Sequence, residues 1–71
     1  MSADSIRVRL NGEDREVPGG LSVRDLLLSL DLTPEMIVVE RNRDILKRDD
    51  YADVSVTEGD VLELVHFVGG G

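Results

Sequence analysis

The 71-residue chain has no cysteine and no tryptophan, and only one histidine, one tyrosine and one phenylalanine. Without cysteine, neither a disulfide framework nor a thiolate metal site can supplement the core. The lone histidine, His66, cannot build a zinc site by itself. Positive charge is scarce as well: eight Lys and Arg stand against fifteen Asp and Glu, for a formal net charge of −7 and a pI near 4.4. Neutralising phosphates needs a basic face, so the composition excludes nucleic acid as a partner and favours basic proteins. No apolar run approaches the roughly 20 residues that span a bilayer, and no signal peptide precedes the first patterned segment. The expectation is a soluble cytoplasmic protein with no membrane partner, monomeric when free.

What remains is one small domain. A chain of this length buries only about 60–65% of the surface its unfolded form exposes, so its core is marginal. Hydrophobic residues make up 41% of it, enough for a globular fold, and 32% are charged, which suits a solvated surface.

Residues 1–5 are small and polar and read as a disordered lead-in. Ile6 to Leu10 alternates apolar and charged residues, the period of a half-buried strand. Asn11-Gly12 is the strongest short signal for a two-residue type I′ hairpin turn, and Glu13 to Val17 is the polar returning strand, suited to a sheet edge. Ser22 can cap a helix, with Asp25 in its first turn. Val23, Leu26, Leu27 and Leu30 form one apolar stripe, which predicts a helix from about Val23 to Leu30 that ends before Thr33-Pro34.

Met36 to Glu40 reads as a buried strand. Arg41 to Asp44 is a polar turn, with Ile45-Leu46 as a brief return. Tyr51 pins the charged loop that follows to the core, and Val54 and Val56 add inward contacts. Glu58-Gly59-Asp60 is turn chemistry before a final strand from Val61 to about Phe67. A hairpin, a crossover helix and further strands make an α+β fold: a mixed sheet of four to five strands with one main helix across one face. The last strand is the longest apolar one, so it belongs in the middle of the sheet, parallel to the first. Leu62 and Leu64 then face the helix. Val61, Val65 and Phe67 either emerge on the uncovered face, where apolar residues mark a partner surface, or lie beneath a loop.

That strand runs into Gly69-Gly70-Gly71, and there the sequence stops. Glycine adds nothing to a packed core, and the terminal carboxylate is ionised at neutral pH. By composition alone, the triplet fits a frayed end as well as it fits a flexible arm that presents a reacting group.

Three stretches and the chain end carry a resemblance to a known family: Leu10-Asn11-Gly12, Ile37 to Asn42, Asp60 to Phe67, and the ending Val65-His66-Phe67-Val68-Gly69-Gly70-Gly71. From Ile6 to Gly71 the chain resembles the ThiS family of thiamine-biosynthesis sulfur carriers, whose fold is the ubiquitin-like β-grasp. The resemblance implies a grasp domain over residues 6–67 with a flexible tail over 68–71. It implies a protein that is acted on rather than an enzyme. A ThiF-type adenylating enzyme uses ATP to activate the Gly71 carboxylate, and a persulfide fed by a cysteine desulfurase converts it to a thiocarboxylate. Thiazole synthase then takes the sulfur. Gly71 is the reacting residue, Gly69 and Gly70 are its stalk, and Val65, Phe67 and Val68 are docking residues. No cofactor is bound by the carrier itself.

Other candidates are weaker. His66 beside the tail suits a structural or partner-contacting role better than acid–base work. Asp49, Asp50 and Asp53 fit no calcium loop and read as a solvated turn. Arg41, Arg43, Lys47 and Arg48 are half of the eight basic residues and suggest a patch for an acidic partner, unless the nearby aspartates neutralise it. The other functions the pattern allows are a carrier for another pathway (the molybdopterin synthase small subunit or cysteine biosynthesis), a ubiquitin-like modifier, and a plain interaction domain.

Overall fold

The first hairpin sets the frame. In the computed structural model, which describes residues 4–66, strand β1 (Ser5–Leu10) pairs antiparallel with β2 (Glu13–Pro18) over its whole length. Asn11 and Gly12 join them with φ of 51° and 83°. Two successive left-handed residues make the type I′ turn that Asn-Gly was expected to form, because that turn matches the twist of the strands. The pairing begins at Ser5, opposite Pro18, and the Asp4 carbonyl accepts a hydrogen bond from the Gly19 N–H (2.6 Å). Regular structure thus starts one residue before the alternating stretch.

Helix α1 (Val23–Ser29) follows, with a complete capping box at its start. The Ser22 hydroxyl accepts from the Asp25 N–H (3.0 Å), and the Asp25 carboxylate accepts from the Ser22 N–H (3.5 Å). The N–H groups of Val23 and Arg24 donate to the carbonyls of Val54 and Tyr51, so the late loop satisfies the first turn of the helix. The helix stops before Thr33-Pro34. Asp31 takes a left-handed φ of 62°, its N–H donates to the Leu28 carbonyl, and the Leu32 N–H reaches back to the Leu27 carbonyl. This is a Schellman stop, with Asp standing where glycine is commoner. Pro34 instead opens a 3₁₀ turn (Pro34–Met36), so the next strand, β3 (Ile37–Arg41), starts one residue later than the apolar run.

A second tight turn leads to β4 (Asp44–Ile45), and the chain crosses a loop with a 3₁₀ turn (Arg48–Asp50) into β5 (Val61–His66). The sheet has five strands in the order β2-β1-β5-β3-β4. β5 lies in the middle as expected, parallel to β1 and antiparallel to β3. The core lies between the sheet and α1: Val8, Leu10 and Val17 from the hairpin, Val23, Leu26 and Leu27 from the helix, and Ile37, Val39, Tyr51, Val56 and Leu62 from the rest. No described helix is long and apolar enough to cross a membrane.

Tyr51 shows how the small sheet closes its edge. β4 covers only the Glu40–Arg41 end of β3, and the Leu46 N–H adds one bond to the Val39 carbonyl. Beyond that point the buried Tyr51 hydroxyl substitutes for a strand, donating to the Ile37 carbonyl (2.7 Å) and accepting from the Val39 N–H (3.1 Å). Tyr51→Phe leaves both backbone groups buried without this partner, and unfolding in urea is expected to show a loss of about 2 kcal/mol.

The second turn is strained in a way the first is not. Asn42 and Arg43 both have positive φ, 51° and 76°, at the two central positions of a type I′ geometry. Asn tolerates this conformation, but an arginine does so at a steric cost of roughly 1 kcal/mol. Arg43→Gly is expected to raise stability by about 0.5 kcal/mol, after allowing for the greater freedom of glycine in the unfolded chain. A small rise in thermal midpoint would show it.

Candidate functional site

β5 is held along its length by side chains as well as by its neighbours. Asn11, the first residue of the first turn, donates its N–H to the Leu62 carbonyl (2.9 Å) and accepts at Oδ1 from the Leu64 N–H (2.8 Å). Asn42, the first residue of the second turn, does the same from the other flank. Its N–H donates to the Val61 carbonyl (2.8 Å) and its Oδ1 accepts from the Val61 N–H (2.9 Å). The left-handed conformation that makes asparagine useful in both turns also aims both amides at the central strand. β1 pairs with β5 only at Val61 and Leu62, so Asn11 extends that ladder by one bond. Past Leu64, the described pairing of β5 is with β3 alone, through Val65 opposite Val38 and His66 opposite Ile37.

At its start, β5 is anchored by Asp60, the one buried charged residue among those described, at 4% exposure. One carboxylate oxygen accepts from the Thr57 N–H (2.9 Å) and from Arg41 Nε (3.0 Å), and the other from Asn42 Nδ2 (3.2 Å) and the Thr57 hydroxyl (3.1 Å). Its carbonyl accepts from the Arg9 N–H (2.9 Å). Burial would raise the pKa of this carboxyl, but the bonds from Thr57, Arg41 and Asn42 outweigh it and hold the carboxyl below the usual carboxylate value. The turn Thr57 to Asp60, the second hairpin and β1 are knotted together at this point.

The strand alternates as its sequence requires. Leu62 is fully buried and Leu64 packs against the core, while Val61 (42% exposed) and Val65 (59%) point to the face away from α1. No loop among the described residues hides them, so the open-face reading holds for these two. Beside them on the same face lie Val38, Glu40 and Glu63, with Ile45 of β4 (65% exposed) opposite Glu40. Phe67, Val68, Gly69, Gly70 and Gly71 lie outside the described residues. His66 is exposed at the last described position of β5.

One member of the basic segment is taken up by the fold itself. Arg41 is bonded to Asp60, while Arg43 sits exposed in the second turn. Sequence reasoning missed the roles of Asp60, Asn11 and Asn42. Asp60 read as a turn residue; its spacing of three from Thr57 across Gly59 was the available signal, since an Asp at that position can bond back to the Thr N–H.

What the arrangement can do chemically is limited. Among the described residues, no group of three or more His, Asp or Glu is placed to hold a metal. What the fold does provide is a rigid central strand, fixed at its start and on both flanks, that runs toward the chain end beside an apolar and acidic open face.

Comparison with known proteins gives the same picture. A family model described as "ThiS family" matches residues 8–71. The sulfur carrier protein ThiS of Bacillus subtilis (strain 168) is 40% identical over 67 residues, which cover 90% of this chain and 98% of that protein. A thiazole synthase of Magnetococcus marinus is 39% identical over 66 residues, or 93% of this chain; the chain spans only 20% of that protein's length. Among solved structures, the thiamine biosynthesis protein ThiS of Geobacter metallireducens superimposes with a TM-score of 0.79 at 33% identity, covering 93% of this chain and all of that one. A match that runs to the final glycine, on a five-stranded β-grasp whose central strand leads to it, establishes that the chain belongs to the ThiS family.

Proposed function

We propose that this protein is a sulfur carrier of thiamine biosynthesis that works through the carboxylate of Gly71. The observation that carries the reading is the family match extending through the terminal glycines, in a chain whose central strand precedes them in the sequence. The carrier is a substrate of its partners. A carboxylate is a poor electrophile until one oxygen becomes part of a good leaving group. A ThiF-type enzyme supplies this: a Gly71 oxygen attacks the α-phosphorus of ATP, pyrophosphate departs, and an acyl adenylate forms. The outer sulfur of a cysteine persulfide, charged by a cysteine desulfurase, then attacks the acyl carbon and AMP leaves. A thiol reduces the remaining S–S bond and releases the thiocarboxylate. None of these steps asks the carrier for a general base.

Thiazole synthase is the sulfur acceptor in this reading. The support is that a segment similar to this chain makes up one fifth of proteins called thiazole synthase in two organisms. A carrier joined to its acceptor in one polypeptide has its delivery partner at a high effective concentration. Val61 and Val65 on the open face begin the docking surface, which continues to Phe67 and Val68. Gly69 and Gly70 let the reacting carbonyl enter a narrow site, because a side chain there would widen the tail and exclude positive φ.

The test is an intact-mass measurement after incubation with the activating enzyme, ATP and a persulfide source. The expected product is heavier by the exchange of one oxygen for sulfur, and removing Gly71 abolishes it. An unchanged mass with the full chain would sink the reading.

A further inference from the structure

We propose that the open face carries an acidic receptor, Glu40 with Glu63, for an arginine or lysine of the enzyme that activates the chain end. The proposal rests on the sulfur-carrier reading above and names what that partner must present. In the register of β3 and β5, Glu40 lies directly opposite Glu63, two residues along from the Val38–Val65 pair and so on the same face. Cβ atoms in such cross-strand pairs are about 4.5–5.5 Å apart, and like charges in this relation repel. For the fold alone, an opposite or neutral pair would serve better.

No described neighbour relieves the pair. Among the described residues, neither carboxylate takes part in any of the three ion pairs, and neither accepts a side-chain or backbone hydrogen bond. The strand geometry shows why. Ile45 flanks Glu40 on β4, and the Asn11 amide oxygen on the β1 flank of β5 is bonded to the Leu64 N–H. Arg9, on β1 of the same face, is bonded to Asp14. The result is two unneutralised carboxylates inside a rim of exposed Ile45, Val61 and Val65.

Charge selects the occupant. A second copy would bring the same acidic pair and another net charge of −7 against this face, and a two-fold interface would place like against like. A phosphate-bearing polymer is repelled for the same reason. A protein surface with a guanidinium or ammonium set among apolar groups complements both parts, and a guanidinium fork can engage two carboxylates at once. Continuity with the tail narrows the partner to a protein that acts on Gly71, and the activating enzyme is the first to do so. Glu63 is eight residues before Gly71, so the extended chain between them spans at most about 29 Å. An enzyme that draws the Gly71 carboxylate into its nucleotide site must therefore sit close to the end of β5, within reach of this pair.

The experiment follows pyrophosphate release by the activating enzyme as the carrier concentration is varied. It uses wild type, Glu40→Gln, Glu63→Gln, the double Gln variant and Glu63→Lys, each with its thermal midpoint measured. The double variant is expected to lose roughly tenfold in kcat/KM, with kcat at saturation kept because the chemistry is at Gly71. Its thermal midpoint is expected to hold or rise, since a repulsion has been removed, and this separates lost docking from a damaged fold. Wild-type kcat/KM is expected to fall with added salt more steeply than that of the double variant. Glu63→Lys is expected to be worse than the double variant. Equal kcat/KM with equal salt dependence across the series would overturn the proposal, as would faster activation of the double variant. Absence of pyrophosphate release from wild type would overturn the carrier reading itself, and the partner named here with it.

Discussion

Asp60→Ala is expected to lower the free energy of unfolding by about 3 kcal/mol, the largest effect of any polar substitution in this domain. The carboxylate is buried and accepts four hydrogen bonds, one of them the charged contact from Arg41. Its removal leaves the Thr57 N–H, the Asn42 amide and a half-buried guanidinium without their acceptor. A domain of this size has roughly 4–10 kcal/mol to lose, so the variant should be visibly unstable in urea at neutral pH. The effect is also pH-dependent. The folded-state pKa of Asp60 is lowered, so over the acid range the unfolded chain binds this proton more readily than the folded one. The stabilisation is therefore complete above the unfolded value, near pH 4, and is lost as pH falls through the lower folded value. Asp60→Asn should lose most of the same energy at pH 7, and its deficit against wild type should shrink below about pH 4. A deficit that stayed constant down to pH 2 would show that the charge on Asp60 is not what these bonds recognise.

That network was the least legible part of the molecule, for a physical reason. The hairpin at Asn11-Gly12 and the cap at Ser22 and Asp25 are local: their partners lie within a few residues, and the chemistry of the turn or helix end prescribes them. The central place of β5 was legible because its apolar length needs cover on both edges. Asp60 instead meets Arg41 and Asn42, 19 and 18 residues away, and Leu64 meets Asn11 across 53. Pairings at that separation exist only once the sheet order is known. The stop of α1 at Asp31 was hidden differently, since a left-handed Asp leaves weaker marks in a sequence than glycine does. The apolar half of the candidate docking face was legible from the alternation along Val61 to Val65. Its acidic half was not, because Glu40 and Glu63 become neighbours only through the register of β3 with β5.

Leu62→Ala and Val65→Thr, three residues apart on one strand, are expected to fail in opposite ways. The Leu62 side chain is fully enclosed between the sheet and α1, and truncating it opens a cavity where the core is deepest. A loss of about 3 kcal/mol is expected, enough to leave a marginal domain partly unfolded at 37 °C. Its failure in an activation assay should be rescued by cooling or by a stabilising osmolyte, since the open face itself is untouched. Val65 points the other way and is 59% exposed. Threonine keeps its branched shape and strand preference while replacing one methyl with a hydroxyl, so the thermal midpoint should move little. Activation should nevertheless fall several-fold at low carrier concentration, because the hydroxyl must be desolvated against an apolar partner surface. Cooling should not restore it. The difference follows from the two-residue period of a strand, which turns alternate side chains of β5 to opposite faces: Leu62 and Leu64 hold the domain together, while Val61, Glu63 and Val65 stay on the open face, where docking is proposed. If Val65→Thr lost stability as Leu62→Ala does, or if both variants were rescued by cooling, this division of the strand between fold and docking would be wrong.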